Sequence, residues 1–256
     1  MILYFTATGN SLYAAEKIAK ATGDRLFDIG RAVRRGEYKV SLGENEPLGF
    51  VFPVYAWTLP GIVELFIRKM ELEGYTGQYA FGVFTCGESA GGTVAALGQA
   101  LSKRGVALHY GAPLVMVDNY IIWSHLPPPE RIEKILGAAD AALERIIAAV
   151  SARERKGISA KKPEMPCLPI EEVSTAAGRS KLYATDKCTA CGLCRAICPM
   201  GCIRQSGNAR PQWEGLCTQC LACLHRCPAG AIEWAGDTAG KKRYVHPKVS
   251  LPASYE

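Results

Sequence analysis

Cys188-Thr-Ala-Cys191-Gly-Leu-Cys194-Arg-Ala-Ile-Cys198-Pro199 and Cys217-Thr-Gln-Cys220-Leu-Ala-Cys223-Leu-His-Arg-Cys227-Pro228 are one pattern written twice, 29 residues apart. Each reads C-x2-C-x2-C-x3-C-P, and the likeness runs on through Gly201-Cys202-Ile203 and Gly230-Ala231-Ile232. An internal repeat is the first thing to weigh in any chain, because it constrains the architecture more than any single element. Nine of the eleven cysteines lie between Cys188 and Cys227, with Cys86 and Cys167 outside. The N-terminus, Met1-Ile-Leu-Tyr-Phe5, has no basic region and only a short apolar patch, so it does not read as a signal peptide. A cytoplasmic protein is expected, and there cysteines more often bind metal or carry redox chemistry than form disulfides.

The spacing is that of bacterial two-cluster ferredoxins, whose fourth cysteine ligates the other cluster. Three cysteines at two-residue intervals wrap one corner of a cubane, and the fourth, out of reach of that cubane, crosses over. Carried onto this chain, the rule gives one 4Fe-4S cluster to Cys188, Cys191, Cys194 and Cys227 and a second to Cys217, Cys220, Cys223 and Cys198. Thiolates are the soft donors that iron–sulfur clusters need. The competing reading is structural zinc, which uses separated C-x2-C pairs, often with histidine; here three cysteines are crowded together twice, and His225 stands as a spacer. Cys202 matches Ala231 of the other repeat and reads as a small buried filler. Cys167 has no evident role.

Working outward, the whole chain of 256 residues is 48% hydrophobic and 21% charged, an ordinary globular balance that excludes wholesale disorder. Its length allows one large domain or two smaller ones. The longest apolar run, Leu48 to Trp57, contains Pro53 and is far short of a membrane span. Charge is uneven: residues 1–150 carry 14 basic and 15 acidic groups, net −1, and residues 151–256 carry 16 and 9, net +7. Two clusters with their thiolates would offset much of that basic excess, so neither a nucleic-acid partner nor a membrane partner is expected.

The first 150 residues alternate apolar strands with helical stretches. Strands are predicted at Met1–Phe5, Leu48–Tyr55, Tyr79–Cys86 and near Leu114–Val117. Helices are predicted at Ser11–Ala21 with Gly23 as stop signal, after Pro60, from Thr93 to Arg104, and from Pro127–Pro129 onward. The last has Ile132, Ile135, Leu136, Ala139, Leu143, Ile146, Ile147 and Val150 on one face. Strand–helix alternation implies a doubly wound α/β fold with a parallel sheet, whose ligands bind beyond the carboxyl ends of the strands. The first strand leads into Thr6-Ala7-Thr8-Gly9-Asn10-Ser11. No dinucleotide or triphosphate motif is present. The loop has no basic residue, and its hydroxyls, asparagine and helix N-terminus suit one phosphate monoester; the plain alternative is an N-cap loop.

T-x-T-G-N-S after a first strand resembles the FMN phosphate loop of flavodoxins. Pro53-Val-Tyr55-Ala56-Trp57 follows the next strand end and carries two aromatics suited to a flavin ring. Thr85-Cys86-Gly87-Glu88-Ser89-Ala90-Gly91-Gly92 follows a third and allows close backbone approach. The whole chain resembles flavodoxin–ferredoxin fusion proteins. That resemblance implies a flavodoxin-like domain over 1–155 that binds FMN, a linker over 156–180, and a small α+β two-cluster ferredoxin domain over 181–256. It implies electron transfer; the eight ligand cysteines and three flavin loops in one chain point to a relay between clusters and FMN, with other redox proteins of unassigned identity as partners. The alternative is a flavin-dependent reductase of a small-molecule electron acceptor, with Cys86, Glu88 and Asn119 as candidate polar groups. Gly240-Lys-Lys-Arg243 in the tail reads as a segment packed over one domain or as a basic docking strip.

Overall fold

The computed structural model describes residues 1–156, 169–172 and 181–255. The strands of the first part are β1 (Ile2–Tyr4), β2 (Leu26–Asp28), β3 (Lys39–Ser41), β4 (Leu48–Pro53), β5 (Glu71–Glu73), β6 (Ala80–Cys86) and β7 (Tyr110–Val115), of which β1, β4 and β6 are apolar runs. Between and after them run α1 (Asn10–Thr22), α2 (Ile29–Arg35), α3 (Gly61–Lys69), α4 (Thr93–Ser102) and α5 (Pro129–Ser151). Five strands pair in parallel in the order β2-β1-β4-β6-β7. Counted along that sheet, this is the flavodoxin-like 2-1-3-4-5 winding, and its crevice opens where the order reverses, between β1 and β4. Core residues fill both faces. Ile2, Tyr4 and Val51 pack with α1 and α5 on one side, and Leu3, Phe5, Phe50 and Phe52 pack with α2, α3 and α4 on the other.

Several expected boundaries move. The fifth sheet strand begins at Tyr110 rather than Leu114, because pairing with Phe81–Cys86 recruits residues whose own pattern is weak. The first helix starts at Asn10, one residue earlier than expected, with Gly9 as its left-handed N-cap and Gly23 closing it. Pro129 opens the last helix at its first turn. β2, α2 and the small parallel pair β3–β5 had no clear periodic signal. Most of the expected linker over 156–180, including Cys167, lies outside the described residues; Ile170, within it, is fully buried against Gly61.

The C-terminal part is two short antiparallel ribbons and two single-turn helices. β8 (Leu182–Ala184) pairs with β11 (Ile232–Trp234), and β9 (Ile203–Arg204) pairs with β10 (Gln212–Trp213). α6 (Leu193–Ala196) and α7 (Ala222–His225) follow the cysteine loops. The sequence repeat is visible in the dihedrals: Ala190 and Gln219 both have φ near 54°, and Gly192 and Leu221 have 76° and 59°. A positive φ at leucine is unusual, and it recurs here where glycine stands in the other copy. No helix of the described residues is long and apolar enough to cross a membrane.

Two predictions test the packing. The Cβ of Gly49→Ala in β4 would stand 2.4 Å from Phe81 Cζ, so this variant is expected to lose about 1–3 kcal/mol in urea unfolding. Glu46 meets the Arg25 guanidinium, the Gly43 amide and the N-terminal ammonium, which hold its carboxyl at about 2. Its stabilising contribution is present above the ordinary carboxylate range and is lost as pH falls through that range toward 2. Glu46→Gln is expected to flatten that acid limb in pH-dependent unfolding.

Candidate functional site

The cysteine loops place two sets of thiols in two cavities. Cys188, Cys191, Cys194 and Cys227 line one; Cys198, Cys217, Cys220 and Cys223 line the other, with Cys202 beside them. Each encloses about 320 Å³, counting the part open to solvent. The fourth cysteine of each repeat therefore stands with the first three of the other. Burial pushes Cys194 up to about 11, and Cys227, Cys188 and Cys191 push in the same direction. Cys223 is raised well above the ordinary thiol range, by burial first and then by Cys220, Cys217 and Cys198. Four mutually repelling thiolates become tenable only around a cationic core, which is the service a metal centre provides. Among the described residues no three His, Cys, Asp or Glu side chains converge as ligands of a single metal ion. The sets line cavities wider than one ion, and backbone amides reach sulfur in both, Gln219 at Cys217 and Ala231 at Cys227, as suits iron–sulfur sites.

The two sets differ in exposure. Cys191 is exposed and Cys188, Cys194 and Cys227 are half-buried, whereas Cys198, Cys217 and Cys223 are buried and Cys220 is half-buried. The second set abuts the strand ends of the first part. Ala7 packs with Ile197, Ala222 and Cys220. The Tyr55 phenol is raised well above its ordinary range, by burial first and then by Cys220 and Cys217.

The three loops singled out in the sequence do meet at the crevice. After β1, every residue from Thr6 to Ser11 is buried. Thr6 Oγ1 accepts from the Gly9 amide, Ser11 Oγ lies 2.8 Å from Thr85 Oγ1, and Asn10 Nδ2 donates to the Val117 carbonyl. Asn119 Nδ2 donates to Thr8 Oγ1. No side chain caps α1, and no acidic residue stands in its first turn. The amides of Asn10, Ser11 and Leu12 thus have no acceptor among the described residues, which suits a phosphate. After β4, Tyr55 meets Phe5 edge-on, and Ala56 and Trp57 take positive φ values of 47° and 60°. Pro53 ends β4 itself. Gly91 lies so close to Trp57 that a Cβ would come within 2.5 Å, and the Gly92 amide donates to the Trp57 carbonyl. Gly87 presses on Asp118, and Glu88 is exposed. Cys86 belongs to β6; it is buried, its thiol pushed up to about 11 by that burial.

The tail packs over the first part, one of its two expected readings, but its contacts with the loop after β1 and the role of His225 had no sequence signal. The His246 amide donates to the Thr8 carbonyl, the His246 ring stacks on Tyr13 at 4.3 Å, and Val249 sits against Gly9. Gly9 has φ 105°, and an added Cβ would stand 2.6 Å from Val249. The Tyr244 hydroxyl donates to Asn10 Oδ1, and its amide donates to His225 Nδ1. That leaves the proton on His225 Nε2, which donates to the Asn119 carbonyl at 2.8 Å. His225 is more than a spacer: it ties the second cysteine loop to the tail and to the loop after β7. Lys241 donates to the Ile121 carbonyl, and Arg243 pairs with buried Glu233. The basic docking strip is therefore corrected, since two of its three cations are engaged inside the molecule. Cys202 is buried as expected, but with its sulfur 3.5 Å from Cys198 Sγ.

Residues 187–232 match the family model of the 4Fe-4S dicluster domain. That match covers the two cysteine motifs. No curated protein matches the chain. Among solved structures, an azoreductase from Bacillus anthracis str. Sterne is 13% identical, over 59% of this chain and 98% of its own, with a TM-score of 0.35. The Trp repressor binding protein from Bacillus subtilis is 16% identical over 57% and 98%, at 0.34. A proposed flavoprotein from Bacteroides uniformis ATCC 8492 is 17% identical over 54% and 96%, also at 0.34. Scores of this size carry no argument about cofactor or activity.

Tyr244→Phe removes one hydroxyl and leaves Asn10 Oδ1 buried without its donor. It is expected to cost about 1–3 kcal/mol in chemical denaturation, whereas Tyr183→Phe, at a half-exposed position, leaves stability unchanged.

Proposed function

We propose that this chain is an electron relay in which two 4Fe-4S clusters and an FMN are held within one fold. The observation that carries the reading is the pair of four-cysteine cavities, one facing solvent and one facing the loops at the sheet's crevice. In this reading Cys188, Cys191, Cys194 and Cys227 hold the outer cluster, and Cys198, Cys217, Cys220 and Cys223 hold the inner one. The free first-turn amides of α1, with Thr6, Thr8 and Ser11, hold the flavin phosphate. Tyr55, Trp57 and the Thr85–Glu88 stretch border its ring. The clusters exchange single electrons and the flavin one or two.

The chain's own residues supply order and insulation. Exposed Cys191 and its loop offer the outer set to another redox protein. Ala7, Tyr55 and Ile197 exclude water between the inner set and the crevice. His225 and Tyr244 hold the second cysteine loop, the loop after β7 and the phosphate loop in one hydrogen-bonded run. The cytoplasm suits this reading, since a reducing compartment keeps cysteines available as ligands.

Protein purified without oxygen is expected to carry about eight irons, one per ligand thiolate, with matching sulfide and one FMN. Photoreduction of the clusters is expected to bleach the flavin absorbance; a flavin that ignores cluster reduction overturns the relay. Cys227→Ser is expected to halve the iron while leaving the flavin bound, because that residue lies away from the crevice.

A further inference from the structure

The two cysteine cavities are related by the repeat, yet their walls are not equivalent. The inner one, lined by Cys198, Cys217, Cys220 and Cys223, also has Thr218 and Trp213 in its wall. Thr218 is 2% exposed. Its Oγ1 and the Trp213 Nε1 are both buried with no partner among the described residues. A buried N–H or O–H left without an acceptor is costly, and such groups are normally satisfied by something in the site. An indole N–H can only donate. Cys202 stands in the same wall, its sulfur 3.5 Å from Cys198 Sγ.

The outer cavity has none of these. In the 29-residue repeat, Thr218 corresponds to Thr189, which is exposed; Trp213 corresponds to Ala184, and Cys202 to Ala231. The unpartnered group there is Gln205 Oε1, an acceptor, because Gln205 Nε2 already donates to the Ala209 carbonyl. Backbone donors reach sulfur in both sites: the Gln219 amide lies 3.4 Å from Cys217 Sγ, and the Ala231 amide lies 3.3 Å from Cys227 Sγ. Buried side-chain donors without partners are found in the wall of the inner one.

We propose that Trp213 and Thr218 donate their free N–H and O–H to the sulfur of the inner cluster and so raise its reduction potential, acting as tuning residues for that site alone. The inference rests on the cluster assignment above and goes beyond it, because it gives the two chemically similar sites different electron affinities. The physical reason is charge. Reduction adds a negative charge to a group walled by four cysteines, three of them buried, and burial disfavours that charge. Donors aimed at sulfur stabilise the reduced form, one of the recognised means of setting an iron–sulfur potential. The outer set includes exposed Cys191, which water can reach. The inner set, three of whose four thiols are buried, has protein donors in its wall, so it can still accept an electron beside the crevice.

The test uses the full chain, purified without oxygen, with Thr218→Val, Trp213→Phe and Thr218→Ser. Iron and sulfide are counted, and both clusters are titrated with reductant while their spectra are followed by electron paramagnetic resonance. Thr218→Val and Trp213→Phe are expected to keep the wild-type iron content. Each should lower the potential of one cluster by about tenfold in its electron-transfer equilibrium, about 59 mV for a one-electron couple, and leave the other in place. Thr218→Ser, which keeps the hydroxyl, is expected to titrate like wild type. Unmoved potentials in both Thr218→Val and Trp213→Phe overturn the proposal. So does an equal shift in Thr218→Val and Thr218→Ser, which would make the effect one of packing. Wild-type protein without iron would instead overturn the cluster assignment itself.

Discussion

A C-x2-C-x2-C loop turns three thiols toward one cavity and leaves the fourth, after a single helical turn, facing the other way. This covalent constraint organises the C-terminal part and much of its contact with the rest. Because Cys198 and Cys227 each stand in the opposite wall, the two repeats interlock and neither cavity is complete without both. The left-handed residues at 190, 192, 219 and 221 are the backbone cost of so tight a turn. The core of this part sets buried Cys198, Cys202, Cys217 and Cys223 among Leu182, Ile203, Leu221, Leu224, Ile232 and Trp234. With cysteines interleaved through that core, a group bound to them would contribute directly to its stability.

The parallel sheet imposes a second constraint. The winding reverses between β1 and β4, so their following loops separate and leave a crevice. The inner cysteine set sits at that crevice, with Ala7 and Tyr55 between them. The tail then crosses the loop after β1, with Tyr244 on Asn10, His246 on Thr8 and Tyr13, and Val249 on Gly9. The glycine there is needed twice, for its φ of 105° and for the closeness of the tail. Elements from both ends of the chain thus share one site, and the buried polar groups that join them are nearly all paired. A paired network of this kind fixes one arrangement, since breaking any member leaves another group buried and unsatisfied.

Much of this was legible in the residues. The cysteine repeat is local and its spacing is set by chain geometry, so both thiol sets could be named from the sequence. The strands β1, β4 and β6 and the helices α1, α4 and α5 carry strong apolar patterns, and their boundaries moved by only a few residues. β2 and α2 were not legible, because Leu26–Asp28 is short and half-exposed and borrows its strand character from pairing with β1. His225 looked like filler because nothing within the motif shows its partners. They lie 106 residues before it, at Asn119, and 19 after it, at Tyr244.

The sequence by itself determined the thiol spacing, the strand–helix alternation and the phosphate-like loop, since each depends on residues close in the chain and on fixed bond lengths and dihedrals. Only the tertiary structure decided which cysteine set is exposed and which faces the crevice, that the tail covers Gly9, and that Lys241 and Arg243 point inward. Those outcomes depend on contacts between residues up to 234 positions apart. No local pattern encodes such pairings; burial of polar groups selects them, because each needs a partner wherever the fold happens to place one.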